Sequence, residues 1–471
     1  MSEKTHDLII IGAGPGGYRA AFLAADMGLN VTLIDPALNP GGVCLYRGCI
    51  PTKALLHLTK IKTDAAHAGD LGIKFSEPEV DINKVIDWKN KVVKQLTGGL
   101  GQLVKARKIN YIKSYAKFIN SNTVEITSGE KKGEKITFKK AIIATGATPV
   151  KIPSINIDSK HVIDSAKALD LKEVPKKMLI VGAGYIGLEM ATIYQALGSE
   201  VSVVELTKDF MPGMDSDLVT EYKKANKDLF KDVFLETKVE AIKEQGKQLE
   251  ASFVDKVDKK FKKKYDKVLV SVGQKPNTEG LGLENTNVDQ DDKGFIKVNN
   301  KQQTSNENIF AIGDIAGQPL LAHKASYEGR VAVEVIAGKD VINDARAIPA
   351  VVYTEPEIAS CGLSEKEAKE KDIDFKTVKF PWAASGRAVA MNEKRGFTKL
   401  LIDKKSERVL GAGIVGRNAG DMISEMALAI EMSATAEDIA LTIHPHPTLA
   451  ETIMESAEMF YGHATHVYSK K

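Results

Sequence analysis

The chain is 471 residues long, which at roughly 150 residues per domain points to about three domains. Apolar residues make up 43% and charged residues 27%, and 65 Lys and Arg against 62 Asp and Glu leave a formal charge of +3; this excludes a disordered chain and gives no basic excess for gripping nucleic acid. Three cysteines are too few for a disulfide framework and fit a reducing compartment, and no apolar run approaches the roughly 18 residues of a membrane helix.

The first apolar run, Leu8-Ile9-Ile10-Ile11, follows the charged residues 1–7 and stops at Gly12 without a small-residue cleavage site. It reads as a buried β-strand rather than a signal peptide, so a cytoplasmic location is expected. The strand runs into Gly12-Ala13-Gly14-Pro15-Gly16-Gly17, then a helical stretch, then Val31-Thr32-Leu33-Ile34 ending at Asp35. The pattern recurs as Leu179-Ile180-Val181, Gly182-Ala183-Gly184-Tyr185-Ile186-Gly187, a helix, and Val201-Ser202-Val203-Val204 ending at Glu205; glycine and acid are 23 apart in both copies (12 to 35, 182 to 205). In G-x-G-x-x-G, the first glycine permits a tight turn, the second lets a pyrophosphate approach, and the third allows close helix packing, while the helix N-terminus attracts phosphate. The terminal acid suits an adenosine ribose, and the anion of Glu205 disfavours a 2′-phosphate, so NAD is expected there rather than NADP. Two equal units predict an α/β protein with two doubly wound, Rossmann-like nucleotide-binding domains.

Three further apolar strands, 141–144, 268–272 and 309–312, end at Thr145-Gly146, at Gly273 and at Gly313-Asp314, where backbone can approach a ligand. Residues 255–267 hold seven lysines with three interleaved aspartates, which reads as a solvated hairpin tip. From Ala347 onward, strands alternate with amphipathic helices at 420–432 and 448–461 without a glycine fingerprint, predicting a C-terminal α+β domain.

Chemistry concentrates in Gly41-Gly42-Val43-Cys44-Leu45-Tyr46-Arg47-Gly48-Cys49-Ile50-Pro51-Thr52-Lys53. On a regular helix, Cys44 and Cys49 would have Cα atoms about 8–9 Å apart, beyond the roughly 7 Å a disulfide tolerates. Pairing therefore requires a distortion, which Gly48 can supply. A ring this small opens without unfolding anything, as suits a redox-active disulfide; the plainer alternative is two buried thiols that never meet. Cys361 has no partner in sequence and is expected in the core. Lys53 shares a helix face with Cys49, where an ammonium would lower a thiolate pKa, or else it is a surface lysine. A buried ammonium needs an anion, and Glu189 is the candidate. Toward the end, His444-Pro445-His446-Pro447-Thr448-Leu449-Ala450-Glu451 fixes two imidazoles between prolines. His446 suits a general acid/base, and Glu451 either caps the final helix with Thr448 or orients His446. His444 is read as structural. No metal is expected.

In this order the motifs resemble the class I pyridine nucleotide-disulfide oxidoreductases of the glutathione reductase type. They comprise the first fingerprint, Cys44-x4-Cys49-Ile50-Pro51-Thr52-Lys53, Ala144-Thr145-Gly146, the second fingerprint, Gly273-Gln274-Lys275-Pro276-Asn277, Gly313-Asp314, and His446-Pro447-Thr448 with Glu451, covering Leu8 to about Tyr461. The resemblance implies FAD on Gly12, Gly14 and Gly17, with Asp35 on its ribose and Lys53, Ala116, Thr145, Gly146, Asp314 and Ala322 around it. It implies NAD on Gly182, Gly184, Tyr185 and Gly187, with Glu205, Val239 and Gly273. Cys44 would be the interchange thiol, Cys49 would face the flavin, and His446 would serve the other subunit of an obligatory homodimer. Residues 1–150 with 276–346 would form the FAD domain, 151–275 the NAD domain and 347–471 the dimerisation interface.

Within the family, Glu205 and Ile50-Pro51-Thr52-Lys53 fit the branch that oxidises protein-bound dihydrolipoyl groups with NAD+. Its partners would be the lipoyl domains and acyltransferase (E2) core of 2-oxo acid dehydrogenase complexes. The alternative is an NAD(P)H-dependent reductase of a small disulfide such as glutathione disulfide, because Tyr185 stands where glutathione reductases carry a tyrosine gate. Val467-Tyr468-Ser469-Lys470-Lys471 lacks the cysteine pair of mercuric reductases.

Overall fold

A computed structural model describes residues 6–76 and 78–468. Residues 1–5 of the segment weighed above as a leader, and residues 469–471 of the cysteine-free tail, lie outside the described residues.

Strand His6–Ile11 sits between Val31–Ile34 and the second half of Lys135–Ile143, all parallel, and Asn110–Ile112 and Ile309–Ala311 extend the sheet at its two sides. Strand side chains alternate between faces. Ile9 and Ile11 pack with Phe118, Val124 and Phe138 of an antiparallel meander, while Leu8 and Ile10 pack with Ala20 and Ala24 of helix Pro15–Asp26. Because both faces are covered, the strand is apolar at each of the four positions from Leu8 to Ile11 instead of every other one.

The second copy has the same build. Lys177–Val181 lies between Glu200–Val204 and Lys267–Val270 in a five-stranded parallel sheet. Met178 and Ile180 face helix Tyr185–Ala196, and Leu179 and Val181 face a three-stranded meander. The lysine-rich segment supplies the last hairpin of that meander. Its charges are answered from neighbouring strands by the pairs Lys256–Glu236, Lys260–Glu240, Lys262–Glu250 and Lys263–Asp232, and Phe261 stacks on Phe253 at 4.9 Å.

The C-terminal part forms a five-stranded antiparallel sheet, in the order Ala350–Val352, Glu357–Gly362, Val409–Gly416, Phe397–Asp403, Phe375–Pro381. Helices Ala419–Glu431 and Glu451–Tyr461 pack against it. Cys361 is buried in this core, which pushes its thiol up to about 12.

A charge cluster that no sequence pattern announces joins the second and third units. Lys399 is 0% exposed, and its ammonium donates to Asp215 at 2.6 Å, Asp217 at 2.9 Å and Glu365 at 3.4 Å. These three carboxylates lie close enough together to hold a metal ion, but Lys399 brings its ammonium to all of them.

One apolar core runs through all three units, containing Leu55 and Leu56 of helix Cys49–His67, Ile180 and Leu188 of the second unit, and Val352 and Ile358 of the third. Among the described residues, no helix is long and apolar enough to cross a membrane.

Candidate active site

In both glycine turns the first and third glycines leave no room for a side chain, while the middle one has room for one. Gly12 has φ +100°, and a Cβ there would meet the Ala144 carbonyl oxygen at 2.3 Å; a Cβ on Gly17 would meet the Gly12 carbonyl oxygen at 1.9 Å. In the second copy, Gly182 has φ +101°, and a Cβ on Gly187 would lie 2.0 Å from the Gly182 carbonyl oxygen. Gly14 and Gly184 are helix N-caps with no side-chain cap and no acid in the following turn, so the first-turn amides are free to receive an anion. This cradle fits a dinucleotide pyrophosphate at each site.

The two terminal acids act alike. Asp35 accepts from the amides of Ala13 at 2.8 Å and Ala37 at 2.9 Å. Glu205 accepts from those of Ala183 and Thr207, both at 2.8 Å. Each carboxylate thus ties its own glycine turn to the end of the second strand, which fixes it where a ribose would lie.

The later motifs converge on the same edges. Thr145 donates through its hydroxyl to the Asn277 carbonyl at 3.0 Å, and the Asn277 amide side chain returns a bond to the Thr145 carbonyl at 2.9 Å. The Asn277 amide also donates to the Gly146 carbonyl at 2.9 Å. Gly273 has φ +125° and ends the approach from the second sheet. At Gly313, the amide donates to Glu328 at 2.6 Å, and Glu328 in turn pairs with Lys324 at 2.9 Å inside helix Ala322–Ile336. Burial raises the Asp314 carboxyl beside them, with Lys324 opposing. Sequence reasoning missed this buried pair; its only signal is the i, i+4 spacing. Ala116 and Val239 have their side chains in the meander cores, so what they can offer a nucleotide is backbone.

Cys44 lies in helix Gly42–Arg47 and Cys49 opens helix Cys49–His67, with the break at Gly48. A Cβ on Gly48 would sit 2.9 Å from the Val43 carbonyl oxygen, so glycine is required where the chain folds back to bring the thiols together. Both are free thiols here. Cys49 is pulled down to about 7, first by the hydrogen bond from the Cys44 thiol and then, against burial, by Lys53. Cys44 is pushed far above its ordinary value by donating that bond and by burial. The hydrogen bond from Cys44 and the Lys53 ammonium therefore favour the thiolate at Cys49 over Cys44.

Lys53 donates to both oxygens of Glu189, at 3.0 and 2.9 Å, as the sequence reading expects. Glu189 is 3% exposed. It accepts a third bond from the Tyr353 amide at 3.1 Å, and the Tyr353 ring lies 4.5 Å from the Lys53 ammonium. No sequence signal marks Tyr353. Tyr185 opens helix Tyr185–Ala196; burial pushes its phenol up to about 12, with Asp314, Glu189 and Cys49 adding to the shift.

His446 and Glu451 meet at 2.8 Å through Nδ1 and Oε1. The other carboxylate oxygen accepts the Thr448 amide at 2.7 Å. Glu451 therefore both orients and caps. The Thr448 hydroxyl donates to the Pro445 carbonyl at 2.8 Å, so only the glutamate half of a capping box forms, and the helix begins at Glu451. Burial opposes ionisation of Glu451, but the Thr448 amide and His446 win and lower its pKa. The His446 side chain is 75% exposed, and among the described residues no hydrogen bond joins it to the thiol pair of its own chain. His444 is held by Glu425 at 2.9 Å and the Thr442 carbonyl at 2.8 Å, with a side chain 4% exposed, as befits a structural residue.

The pyridine nucleotide-disulphide oxidoreductase family matches residues 6–329, and the dimerisation domain of that family matches residues 348–457. Dihydrolipoyl dehydrogenase of Vibrio cholerae is 48% identical over 469 residues, spanning 100% of this chain and 98% of that protein. The enzymes of the same name from Haemophilus influenzae and Geobacillus stearothermophilus are 47% and 44% identical, with 100% and 98% of this chain and 98% of each relative covered. Among solved structures, the HOCl-induced flavoprotein disulfide reductase of Escherichia coli superposes with TM-score 0.85 at 28% identity, over 96% of this chain and 100% of that one. LpdA of Mycobacterium tuberculosis, at 24% identity, shares the fold with TM-score 0.90 over 97% of this chain and 100% of that one.

Proposed function

Because the chain belongs to the pyridine nucleotide-disulphide oxidoreductase family, we propose that its thiol pair, its two glycine turns and its C-terminal histidine form one dihydrolipoyl-oxidising centre. The activity is that of an FAD-dependent oxidoreductase passing electrons from dihydrolipoyl groups to NAD+, the E3 reaction. The observation that carries the reading is the Cys44 and Cys49 thiol pair across the Gly48 break, with the Lys53–Glu189 pair one turn on, in a chain with two anion-ready helix termini.

The roles proposed here are those the family resemblance implies, and the two glycine turns with their mirrored acids support them. Gly12, Gly14, Gly17 and Asp35 hold FAD, with Thr145, Gly146, Asp314, Ala322 and the Ala116 backbone around it. Gly182, Gly184, Gly187 and Glu205 hold NAD, with Tyr185, Gly273 and the Val239 backbone. The FAD unit takes residues 1–150 and 276–346, the NAD unit 151–275 and the interface unit 347–471.

In the oxidised protein, Cys44 and Cys49 form a disulfide. His446, with Glu451 fixing Nδ1, takes a substrate thiol proton at Nε2. The substrate thiolate attacks the Cys44 sulfur, the Cys44–Cys49 bond breaks, and Cys49 leaves as the stabilised thiolate. The second substrate thiol passes its proton to the departing Cys44 sulfur as its own sulfur closes the lipoyl ring, so the substrate loses two electrons and the protein pair gains them. FAD held at the first glycine turn would supply a two-electron acceptor for the thiol pair and a hydride donor for NAD+. The neighbouring Lys53 ammonium favours the Cys49 thiolate.

The dimerisation domain supports a homodimer. Since His446 is exposed and away from its own thiols, we assign it to the other subunit's pair. Lipoyl domains and an E2 acyltransferase core are the proposed partners, and the cytoplasm the proposed location. A specific observation keeps a second reading in view: Tyr185 lies within electrostatic reach of Cys49 and Asp314, as a gate to a small-disulfide reductase would. Rates with dihydrolipoamide and NAD+ set against glutathione disulfide with NADH or NADPH separate the two. The first pair is expected to dominate, and preference for the second would overturn the reading.

A further inference from the structure

We propose that Tyr353 is a positioning residue that locks Lys53 against Glu189 from the third folding unit, so that the C-terminal sheet sets the charge felt by Cys49. The inference rests on the redox role of the thiol pair proposed above.

Three elements distant in sequence meet at this point. Lys53 comes from helix Cys49–His67, Glu189 from helix Tyr185–Ala196, and Tyr353 from the turn after strand Ala350–Val352. The Tyr353 ring lies 4.5 Å from the Lys53 ammonium, an attractive cation–π arrangement. Its amide donates to Glu189 at 3.1 Å. Two residues on, Glu355 binds Lys60 of the first helix at 2.7 Å and takes the Asn226 side-chain amide at its carbonyl at 2.8 Å. The turn 353–355 is therefore bonded to both nucleotide-binding units. Glu189 alone would let Lys53 pivot about the carboxylate; the ring gives the ammonium a second contact. The position matters because Lys53 favours the Cys49 thiolate and Glu189 disfavours it. The other groups facing these residues are Cys44, Tyr18 and Tyr185 near the thiols, and Glu357 and Asp421 behind Tyr353.

The test is the pH midpoint of the long-wavelength thiolate–flavin absorbance of the two-electron-reduced holoenzyme, in wild type, Tyr353→Phe and Tyr353→Leu. Phe keeps the ring and is expected to keep the wild-type midpoint. Leu removes the ring face and is expected to raise the midpoint by about half a pH unit, roughly threefold in the thiol equilibrium. Should Leu fail to fold, Tyr353→Met, which keeps bulk without a ring face, carries the same expectation. If Leu or Met lowers thermal stability yet leaves the midpoint at the wild-type value, or shifts it down, Tyr353 is only structural and the inference falls. A Phe shift as large as that of Leu also overturns it. If wild type shows no such band, the redox reading fails instead, and the pH dependence of iodoacetamide alkylation of Cys49 in Cys44→Ser, with and without Tyr353→Leu, still decides the role of Tyr353 without a flavin.

Discussion

His446 Nδ1 and Glu451 Oε1 lie 2.8 Å apart, while the second Glu451 oxygen holds the Thr448 amide at 2.7 Å. One carboxylate thus fixes the imidazole and the start of the final helix together. Glu451→Gln keeps the amide acceptor and loses the charge that stabilises a protonated ring, so the dihydrolipoamide:NAD+ rate is expected to fall about 10- to 100-fold with little loss of stability. Glu451→Ala removes the cap as well and is expected to cost about 1 kcal/mol more, measured by denaturant unfolding. Because the Glu451 pKa is lowered in the fold, its contribution is present above the ordinary carboxyl range and disappears as pH falls through the lowered value.

Glu189 gives the Lys53 ammonium its anion, and the two have opposite effects on Cys49. Glu189→Gln is expected to move the Cys49 thiolate midpoint below about 7, the reverse of the shift expected for Tyr353→Leu. Breaking the pair is also expected to destabilise by about 1–3 kcal/mol, less than for a fully buried pair because Lys53 is half-buried. A pH titration of the reduced protein and a thermal scan read the two effects separately.

The matched glycine turns permit the two nucleotides to be separated. Gly187→Ala would press a Cβ to 2.0 Å from the Gly182 carbonyl oxygen. It is expected to retain bound flavin and its reduction by dihydrolipoamide while losing NAD+ reduction. Gly17→Ala, with a Cβ 1.9 Å from the Gly12 carbonyl oxygen, is expected to yield protein depleted of flavin. Absorbance of purified protein and a single-turnover reduction measure both.

Lys399→Met leaves Asp215, Asp217 and Glu365 facing one another, with Lys379 still on Asp217 and Lys369 on Glu365 at the rim of the cluster. The expected cost is about 3–5 kcal/mol in unfolding free energy. A variant as stable as wild type would contradict a structural role for the cluster.

What was legible in the sequence was what repeats locally or must be satisfied chemically. The two fingerprints follow from backbone sterics at Gly12, Gly17 and their counterparts, and the equal 23-residue spacing marks Asp35 and Glu205 as equivalent, though their bonds to the Ala13 and Ala183 amides carry no signal in the spacing. The need of Lys53 for an anion pointed correctly to Glu189, 136 residues away. Pairing of the thiols on a regular helix is too long a reach, which points to Gly48 as a residue able to supply the distortion, and the helix does break there. The alternatives for Glu451 could not be separated by spacing, since one carboxylate has two oxygens and uses one for each task. Tyr353, Glu328 and Lys399 stayed hidden for a different reason. Each acts on residues brought near by tertiary packing, and an aromatic, an acid and a lysine in such settings carry no local pattern that distinguishes them from core or surface residues.

The most direct test of a dithiol centre working with FAD and NAD is anaerobic titration of the purified protein with dihydrolipoamide, followed by absorbance. The expected result is a yellow protein that develops a long-wavelength band at two-electron reduction, growing as pH rises through about 7 and absent in Cys49→Ser. A colourless protein, or a Cys49→Ser variant that keeps full NAD+ reduction by dihydrolipoamide, would contradict the account.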